Sequence, residues 1–388
     1  MPRLIAFYLP QFHPVAETDA WWGKGFTEWT NTAKARPLFP GHYQPHVPAD
    51  LGFYDLRVAE TRAAQAEMAH KYGIEGFCYY HYWFAGRQIL QRPFEEVLAS
   101  GKPDFPFCLC WANQTWSGIW HGAPQRVLIE QTYPGEQDHR THFTSLLPAF
   151  LDPRHVRIEG KPLFILFSPH EVPGLADVLR LWRSMAADAG LPGLHLVANT
   201  HEDDAAAMRA CGFDGVIRAP VFKARRWDRD WRRPVRRVLN SLRHSMGRPT
   251  VVPFSVLARE GVEIWQRHDS YPCVVHAWDN TPRSGRDGVA YTGASPDVFR
   301  KSLAAAFDAV ETQPAENQLV FLKSWNEWAE GNHLEPDMRY GDGFLQAIKE
   351  ALEEHHGASA WLPSVAAGRN VRRSALAPGQ PQLSHTNH

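Results

Sequence analysis

Residues 76–83 read GFCYYHYW, and residues 319–325 read LVFLKSW. Both stretches are almost continuous runs of apolar residues, many of them aromatic or β-branched, and they lack the apolar–polar alternation of a half-exposed strand. Strands that are apolar on both faces are typical of parallel sheets covered by helices on both sides. These two stretches therefore predict buried parallel strands.

Six more runs of the same kind occur along the chain. They are Leu4–Leu9, Phe107–Trp111, Leu163–Phe167, His195–Ala198, Gly215–Ile217 and Cys273–Trp278. Helical patterns lie between the runs, at Leu56–Tyr72, Leu175–Ala189 and Pro296–Val310, and Ser295 is placed to cap the last of these. Eight strands that alternate with helices predict an α/β fold, the closed (β/α)8 TIM barrel. An open doubly wound sheet is the alternative, although no GxGxxG motif follows the first strand.

The 388 residues fit one domain, because such barrels commonly exceed about 250 residues. We expect one catalytic domain over residues 1–362, a basic insertion at about residues 223–248 and a disordered tail over residues 363–388. The insertion carries ten Lys and Arg against two Asp and follows the sixth predicted strand. It is either a solvated amphipathic segment or a surface for an anionic glycan, a lipid-linked pyrophosphate or a membrane.

Charge and cysteine content restrict the partners and the compartment. A net charge of -1 gives no general attraction to nucleic acid, so we expect no nucleic-acid partner. The five cysteines form no CxxC pair, and four of them fall in predicted strands, as buried free thiols of a reducing compartment do. The N-terminal apolar run is too short for a signal peptide, and no run has the 18 or so apolar residues of a membrane span. We therefore expect a cytoplasmic protein without a cofactor.

Tryptophan is unusually frequent, with 15 residues. Most aromatic side chains belong to the core, which is the simpler interpretation for any single tryptophan. Several of these tryptophans, however, stand beside polar residues at predicted strand ends. A flat indole covers the apolar face of a sugar ring while polar neighbours bind its hydroxyls, so the pattern also indicates a glycan site.

In a barrel of this kind the active site lies where strands end and the following loops begin. Polar and aromatic residues meet at these positions more often than packing requires, because buried polar atoms need partners. The residues that we predict to bind substrate are Tyr8, Gln11, His13, Trp22, Glu28, Trp29, Tyr80, His81, Trp83, Trp111, Asn113, Trp116, His201, Trp278, Asn326 and Trp328.

The most specific element is the segment NEWAEG at residues 326–331, where Glu327 and Glu330 stand three positions apart. Cleavage of a glycosidic bond uses two carboxyl groups, one neutral to protonate the leaving oxygen and one ionised. Adjacent carboxylates and a neighbouring indole separate the two pKa values in this sense. The ExxE spacing is common on solvated helices, but its place after the eighth strand favours a catalytic pair.

Other chemistries have weaker support. No HExxH motif and no set of four cysteines predicts a metal site, so we expect no bound metal, although Glu335 and Asp337 near His333 offer a minority alternative for a hard cation. No GxSxG motif supports a serine hydrolase.

Five segments together carry a resemblance to a known family. They are AFYLPQFHP, WWGKGFTEWTN, YYHYWF, WANQTW and WNEWAEGNHLEPD, within residues 3–350. With them the chain resembles the WbsX-like proteins, which are relatives of glycoside hydrolase family 99 found in gene clusters for bacterial polysaccharides. The resemblance implies a (β/α)8 barrel and a configuration-retaining enzyme of the α-mannosidase and mannanase type.

The resemblance also implies roles for the two glutamates, because Glu327 and Glu330 match the catalytic pair of a WNEWHEG-like motif. Glu327 would deprotonate the 2-hydroxyl of the sugar, whose oxygen attacks C1 and forms a 1,2-anhydro intermediate. Glu330 would protonate the leaving group and then activate water. The histidine of the family motif is replaced here by Ala329.

Three functions follow from these observations. The first is a retaining α-glycoside hydrolase that acts on a mannose- or rhamnose-configured bacterial polysaccharide. The second is a glycosyltransferase of lipopolysaccharide or O-antigen biosynthesis, in which a sugar acceptor replaces water. The third is a glycan-binding protein without catalysis.

Overall fold

The structure is a computed structural model that describes residues 1–118, 123–200, 204–218, 220, 233–267 and 270–357. The predicted tail at residues 363–388 lies outside the described residues. The basic insertion is described from residue 233 onwards.

Eight parallel strands form the centre of the fold. They are β1 (Arg3–Tyr8), β2 (Gly76–Phe84), β3 (Phe107–Trp111), β4 (Lys161–Leu166), β5 (His195–Thr200), β6 (Gly215–Arg218), β7 (Tyr271–Val275) and β8 (Leu319–Lys323). Each strand pairs with the next, and β1 pairs with both β2 and β8, so the sheet closes on itself. The predicted (β/α)8 barrel is confirmed. The first residue of each predicted strand lies within two residues of the first residue of the observed strand.

Helices connect the strands and cover the barrel. In the described residues they are α1 (Ala16–Trp22), α2 (Glu28–Lys34), α3 (Ala59–Lys71), α4 (Arg92–Ser100), α5 (Glu136–Leu151), α6 (Leu175–Asp188), α7 (Ala205–Cys211), α8 (Arg233–Ser245), α9 (Phe254–Arg267), α10 (Thr281–Ser284), α11 (Pro296–Val310) and α12 (Gly343–His356). As predicted, the Ser295 hydroxyl caps α11 by accepting from the Val298 N–H. Among the described helices, none is both long and apolar enough to cross a bilayer.

Several short strands lie outside the eight strands of the barrel. Pairs form between Trp116–Gly118 and Ala123–Ile129, between Thr250–Pro253 and Val289–Thr292, and between Asn326–Glu327 and Asn332–His333, while Arg87–Ile89 and Arg157–Ile158 extend β2 and β4. Single turns of 3₁₀ helix occur at Pro169–Glu171, Gly285–Asp287, Ala315–Asn317 and Trp328–Glu330.

The core fills the space between the strands and the helices. Strand residues such as Leu4, Phe164 and Leu196 have no solvent exposure. Trp111 and Trp182 are also fully buried in the layer between the barrel and the helices. The simpler interpretation, core packing, therefore holds for these two tryptophans. All five cysteines are free thiols, and four of them are buried.

The packing between β2 and β3 leaves no space for a side chain at Gly76. A Cβ atom there would lie 2.7 Å from the backbone oxygen of Pro106. We expect Gly76→Ala to lower the free energy of unfolding by about 1–3 kcal/mol, because neither backbone can yield cheaply. Thermal unfolding followed by circular dichroism measures the effect.

Gly343→Ala is the matched control. Gly343 begins α12, and its added Cβ would meet only the Pro296 ring, at 3.1 Å. Alanine also favours helix over glycine, so we expect little loss of stability. Equal melting temperatures for the two variants would contradict the proposed close contact between β2 and β3.

Candidate active site at the carboxyl end of the barrel

A tight hairpin after β8 carries the two predicted catalytic residues. Asn326–Glu327 pairs with Asn332–His333, and the 3₁₀ turn Trp328–Glu330 joins the two short strands. Gly331 closes the turn with a φ of +56°, and a Cβ there would lie 3.1 Å from Asp279. Only glycine meets both demands without strain. The hairpin thus places Glu327 and Glu330 at the carboxyl end of the barrel.

A single arginine, Arg283 of α10, contacts both predicted catalytic glutamates and a third one. Its Nη1 donates to Glu330 Oε1 at 2.5 Å, and its Nη2 donates to Glu327 Oε2 at 3.1 Å. The Nε and Nη2 atoms also donate to Glu28 Oε2, at 3.0 and 2.8 Å. The three carboxylates hold the pKa of Arg283 well above its ordinary value, against the opposing effect of burial. Glu327 and Glu330 therefore face one guanidinium rather than pointing apart.

The pKa of Glu330 is suited to proton transfer near neutral pH. Burial, and then the charge of Glu327, raise the pKa of Glu330 to about 7, while Arg283 and Lys323 lower it. The side chains of Glu327 and Glu330 are 7% and 8% exposed, so the pair is largely desolvated but still reaches solvent. A carboxyl group of this kind can both donate and accept a proton.

A second cation, Lys323, stands at the end of β8. Its Nζ lies 3.5 Å from the Tyr80 hydroxyl and within 6 Å of two ring centres, those of Phe167 at 5.8 Å and Trp278 at 5.6 Å. Burial, and next the charge of Glu327, raise the pKa of Tyr80 and of Tyr82 well above the ordinary value. Both phenols stay protonated as hydrogen-bond donors beside the glutamate pair.

The strand alternation of β2 places its predicted site residues on two different faces of the strand. Tyr80 and Tyr82 point into the barrel mouth, whereas the intervening His81 and the following Trp83 point outwards against α5. His81 Nε2 lies 2.8 Å from Nε2 of His142, and the Trp83 ring stacks on His142 at 4.7 Å. Successive strand residues face opposite sides, so His81 and Trp83 lie on the other face of β2 from Tyr80, and their predicted contact with substrate stays a prediction.

Three more predicted contacts belong to the core. Trp111 is fully buried between the barrel, α5 and α6, and its indole N–H donates to the Trp83 carbonyl. Tyr8 points out of the barrel and donates to Gln65 at 2.7 Å. His13 is 1% exposed. All three side chains are buried, which favours a packing role, and their predicted contact with substrate stays a prediction.

Two further predicted residues, Asn113 and Asn326, connect the loops around the site. Asn113 links Tyr133 to the Ser168 backbone, and Asn326 binds the backbone N–H and carbonyl of Leu9 at 2.7 and 3.0 Å. The amides of both asparagines are thereby used in joining loops.

Trp328 and Trp29 form an aromatic layer under the hairpin. Trp328 stacks on His333 at 3.6 Å between ring centres, and Trp29 packs against Trp328 at 5.3 Å. Trp29 also donates to the Tyr54 carbonyl at 2.7 Å. These two indoles pack beneath the hairpin that carries Glu327 and Glu330.

The other predicted residues lie nearer the opening or outside the described part. Gln11 and Trp22 are half-buried, and the Gln11 carbonyl accepts from the backbone N–H of Glu28 at 3.1 Å. Trp116 is half-buried and meets the Tyr82 ring edge-on at 4.9 Å. His201 lies outside the described residues.

Glu335 has a structural position that the sequence did not predict. It accepts hydrogen bonds from Tyr54 at 2.8 Å, from Gln65 at 2.6 Å and from the Trp328 indole at 2.6 Å. Burial raises its pKa to about 7. Both carboxylate oxygens thus accept hydrogen bonds from protein donors, and the minority alternative of Glu335 as a cation ligand stays a prediction.

His46, His333 and Asp337 instead form the one group of metal-ligating side chains found among the described residues, with ligand atoms within 4.8 Å. His46 Nδ1 and His333 Nε2 are 2.8 Å apart, which is a direct hydrogen bond. The other nitrogen of His333 lies 3.0 Å from the Glu335 carbonyl oxygen. The two rings are thus paired with each other, and the group serves to join the loop around residue 46 to the hairpin.

Sequence reasoning missed Arg283, Lys323 and Tyr82 as members of the site. Lys323 could have been found as the one charged residue in the apolar run of β8, and Tyr82 from its alternation with Tyr80. Arg283 had no such indication, because it lies in the polar stretch DNTPRSG after β7, where several side chains are equally able to reach the opening.

Comparisons with known proteins place the chain in a family. A family model described as "Glycosyltransferase WbsX" matches residues 4–348. The uncharacterized protein WxcX of Xanthomonas campestris pv. campestris is 38% identical over 352 residues, which cover 90% of this chain and 49% of that protein. The chain therefore spans about half the length of the curated relatives that it matches.

Solved structures share the fold at low sequence identity. The GH99 endo-alpha-mannosidase of Bacteroides thetaiotaomicron has a TM-score of 0.54 and 14% identity, over 92% of this chain and 98% of that one. A glycoside hydrolase-like protein has a TM-score of 0.55 and 14% identity, over 90% and 93% of the two chains. The structural likeness shows the barrel fold alone, whereas the family model matches most of the sequence, and the chain belongs to the WbsX family.

Proposed function

We propose that the chain is a configuration-retaining, glycan-processing enzyme in which Glu330 is the acid and base and Glu327 assists the substrate's own hydroxyl. The observation that carries the proposal is the contact of both glutamates with Arg283, combined with a pKa of about 7 for Glu330. Two carboxyl groups with different protonation states are what glycosidic cleavage requires.

In the first step of the proposed reaction, Glu327 accepts the proton of the 2-hydroxyl, and the oxygen attacks C1 of the same sugar. Glu330 protonates the leaving oxygen as the bond to C1 breaks. In the second step Glu330 takes a proton from water, whose oxygen attacks C1 as the bond between C1 and the 2-oxygen of the anhydro intermediate breaks, and Glu327 returns a proton to the 2-oxygen. A nucleophile within the same ring has a large effective concentration, which favours this route.

Arg283 fits this scheme as the counter-charge of the pair. Its guanidinium lies between Glu327 and Glu28 and places a positive charge beside the proposed base. Tyr80, Tyr82 and Lys323 supply donors for sugar hydroxyls, and Trp278 supplies an apolar surface. This combination of a few polar groups and aromatic rings suits a glycan.

The substrate class that we propose is a mannose- or rhamnose-configured glycan, in which the 2-hydroxyl is trans to the leaving group. The GH99 neighbour is an endo-alpha-mannosidase, which motivates this choice. Ala329 replaces the histidine of the related motif, so we expect a different sugar or linkage preference from that neighbour. The cytoplasmic location expected from the sequence stays a prediction.

The family description favours a second candidate function, glycosyl transfer. The same acid and base would then activate a sugar hydroxyl in place of water in the second step. Isothermal calorimetry with nucleotide sugars and lipid-linked sugars separates the candidates, since a transferase binds one of these donors. Hydrolysis of a glycan without binding of any donor would exclude the transferase function.

Replacement of either catalytic glutamate tests the proposal directly. We expect Glu330→Gln and Glu327→Gln each to lower kcat by about 10²- to 10⁴-fold, because each removes one proton transfer. The measurement is release of reducing sugar from α-mannan, α-rhamnan and O-antigen polysaccharide. Glu171→Gln, an exposed glutamate after β4, is the control and should retain activity. Intact glycan binding by all variants with no turnover by any protein would support the binding-protein alternative instead.

The pH dependence gives a second test. The acid must be protonated, and burial raises the pKa of Glu330 to about 7, so we expect kcat/KM to fall as pH rises above about 7. Arg283 lowers that pKa. In Arg283→Gln the alkaline fall should therefore move to higher pH, with a lower maximal rate.

Two controls keep the pH experiment interpretable. Arg286→Gln removes an exposed arginine from the same loop and should leave the profile unchanged. Arg283→Lys retains the charge if the glutamine variant does not fold, and its profile should resemble that of the unmodified enzyme. An alkaline limb that stays fixed in Arg283→Gln would contradict the role of Glu330 as the acid.

A further inference from the structure

Helix α8 exposes its apolar face to solvent, whereas an ordinary surface helix buries that face against the protein. Large apolar side chains between 47% and 61% exposed lie along it and just beyond its end; they are Val235, Val238, Leu239, Leu242 and Met246. Their spacing of three and four residues places them on one side of the helix. This stripe faces solvent instead of the barrel.

The opposite side of α8 attaches the helix to the protein through polar groups. Asn240 Nδ2 donates to the Val251 carbonyl at 3.1 Å, and Asn240 Oδ1 accepts from the Val251 N–H at 3.1 Å. Arg243 donates to the same Asn240 oxygen at 3.2 Å. These contacts fix the rotation of the helix, so the outward direction of the apolar stripe is built into the structure.

Charge indicates what covers the stripe. Residues 233–248 contain five arginines and no acidic residue. Exposed apolar residues beside several arginines are the properties of helices that lie in the interface of an anionic bilayer. A second copy of the chain fits less well, because pairing two such helices would bring like charges together.

We propose that α8 binds the surface of an anionic lipid bilayer, with the apolar stripe among the acyl chains and the exposed Arg237 and Arg248 at the lipid phosphates. The proposal concerns a surface outside the glutamate site and does not depend on the glycan chemistry. It assigns one partner, a membrane, to the described part of the basic insertion. The sequence alone was compatible with a solvated segment, a glycan-binding surface and a membrane-binding surface.

The position of α8 connects the proposed membrane surface to the opening of the barrel. Val251 belongs to the short strand Thr250–Pro253, which pairs with Val289–Thr292. That second strand is held to the end of β7 by the hydrogen bond from Tyr291 N–H to the Trp278 carbonyl at 2.9 Å. Trp278 is at the carboxyl end of the barrel, so docking through α8 would bring the candidate active site close to the lipid surface.

Vesicle binding by the full chain tests the proposal. Flotation is measured with vesicles of phosphatidylglycerol and phosphatidylcholine in equal parts, and with phosphatidylcholine alone. We expect binding to the anionic vesicles that weakens as salt is raised. The double variant Val238→Gln, Leu242→Gln should lower the partition coefficient about tenfold or more, since it removes the apolar contact. Arg237→Gln with Arg248→Gln should lower it roughly tenfold on anionic vesicles.

Two variants at exposed apolar residues outside α8 serve as matched controls. Val58→Gln and Leu151→Gln change similarly exposed apolar residues away from α8 and should bind vesicles as the unmodified chain does. Circular dichroism confirms that each variant is folded. The proposal is overturned if the unmodified chain does not float with anionic vesicles, or if the α8 variants float equally well. It is also overturned if the chain is a dimer that the Val238 and Leu242 changes dissociate without any effect on vesicles.

Discussion

The sharing of one guanidinium by three carboxylates is the interaction on which the candidate site depends. If Arg283 were absent, the three carboxylates of Glu28, Glu327 and Glu330 would place three negative charges in a region that is almost closed to water. Like charges in such an environment repel strongly and protonate instead of remaining ionised. Even with Lys323 as a second cation nearby, two positive charges serve three carboxylates, which leaves a deficit of positive charge. The proton affinity of Glu330 reflects this deficit, together with its burial.

The site is supported by a second layer that has little contact with solvent. Trp328 and Glu335 link the hairpin to the loops after β1, and Glu335 collects donors from Tyr54 and Gln65. A carboxylate that accepts three hydrogen bonds in a buried place restricts the positions of all its donors. The tryptophan-rich composition is therefore divided between two tasks. Trp111, Trp182 and Trp328 stabilise the scaffold, and Trp278 lies near the lysine and tyrosines of the opening.

The sequence predicted the fold well because each strand is a local apolar run, and eight such runs with helices between them have few alternative arrangements. The glutamate pair could also be predicted from the sequence, since both members belong to one short segment. The direction in which individual side chains point was harder to predict from the sequence. His81 and Trp83 are beside Tyr80 in the sequence but on the other face of β2. Arg283 escaped notice because it reaches Glu28 across 255 positions of the chain, and such a contact exists only after the barrel has closed.

Closure of the barrel has a consequence for the order of events during synthesis. The first strand meets the last, and Asn326 binds the backbone of Leu9 across 317 positions. Glu28 is made early by the ribosome, while Glu327 and Glu330 are among the last residues of the barrel to emerge. A growing polypeptide can therefore form much of its secondary structure but cannot assemble the three-glutamate centre until translation of the barrel is nearly complete.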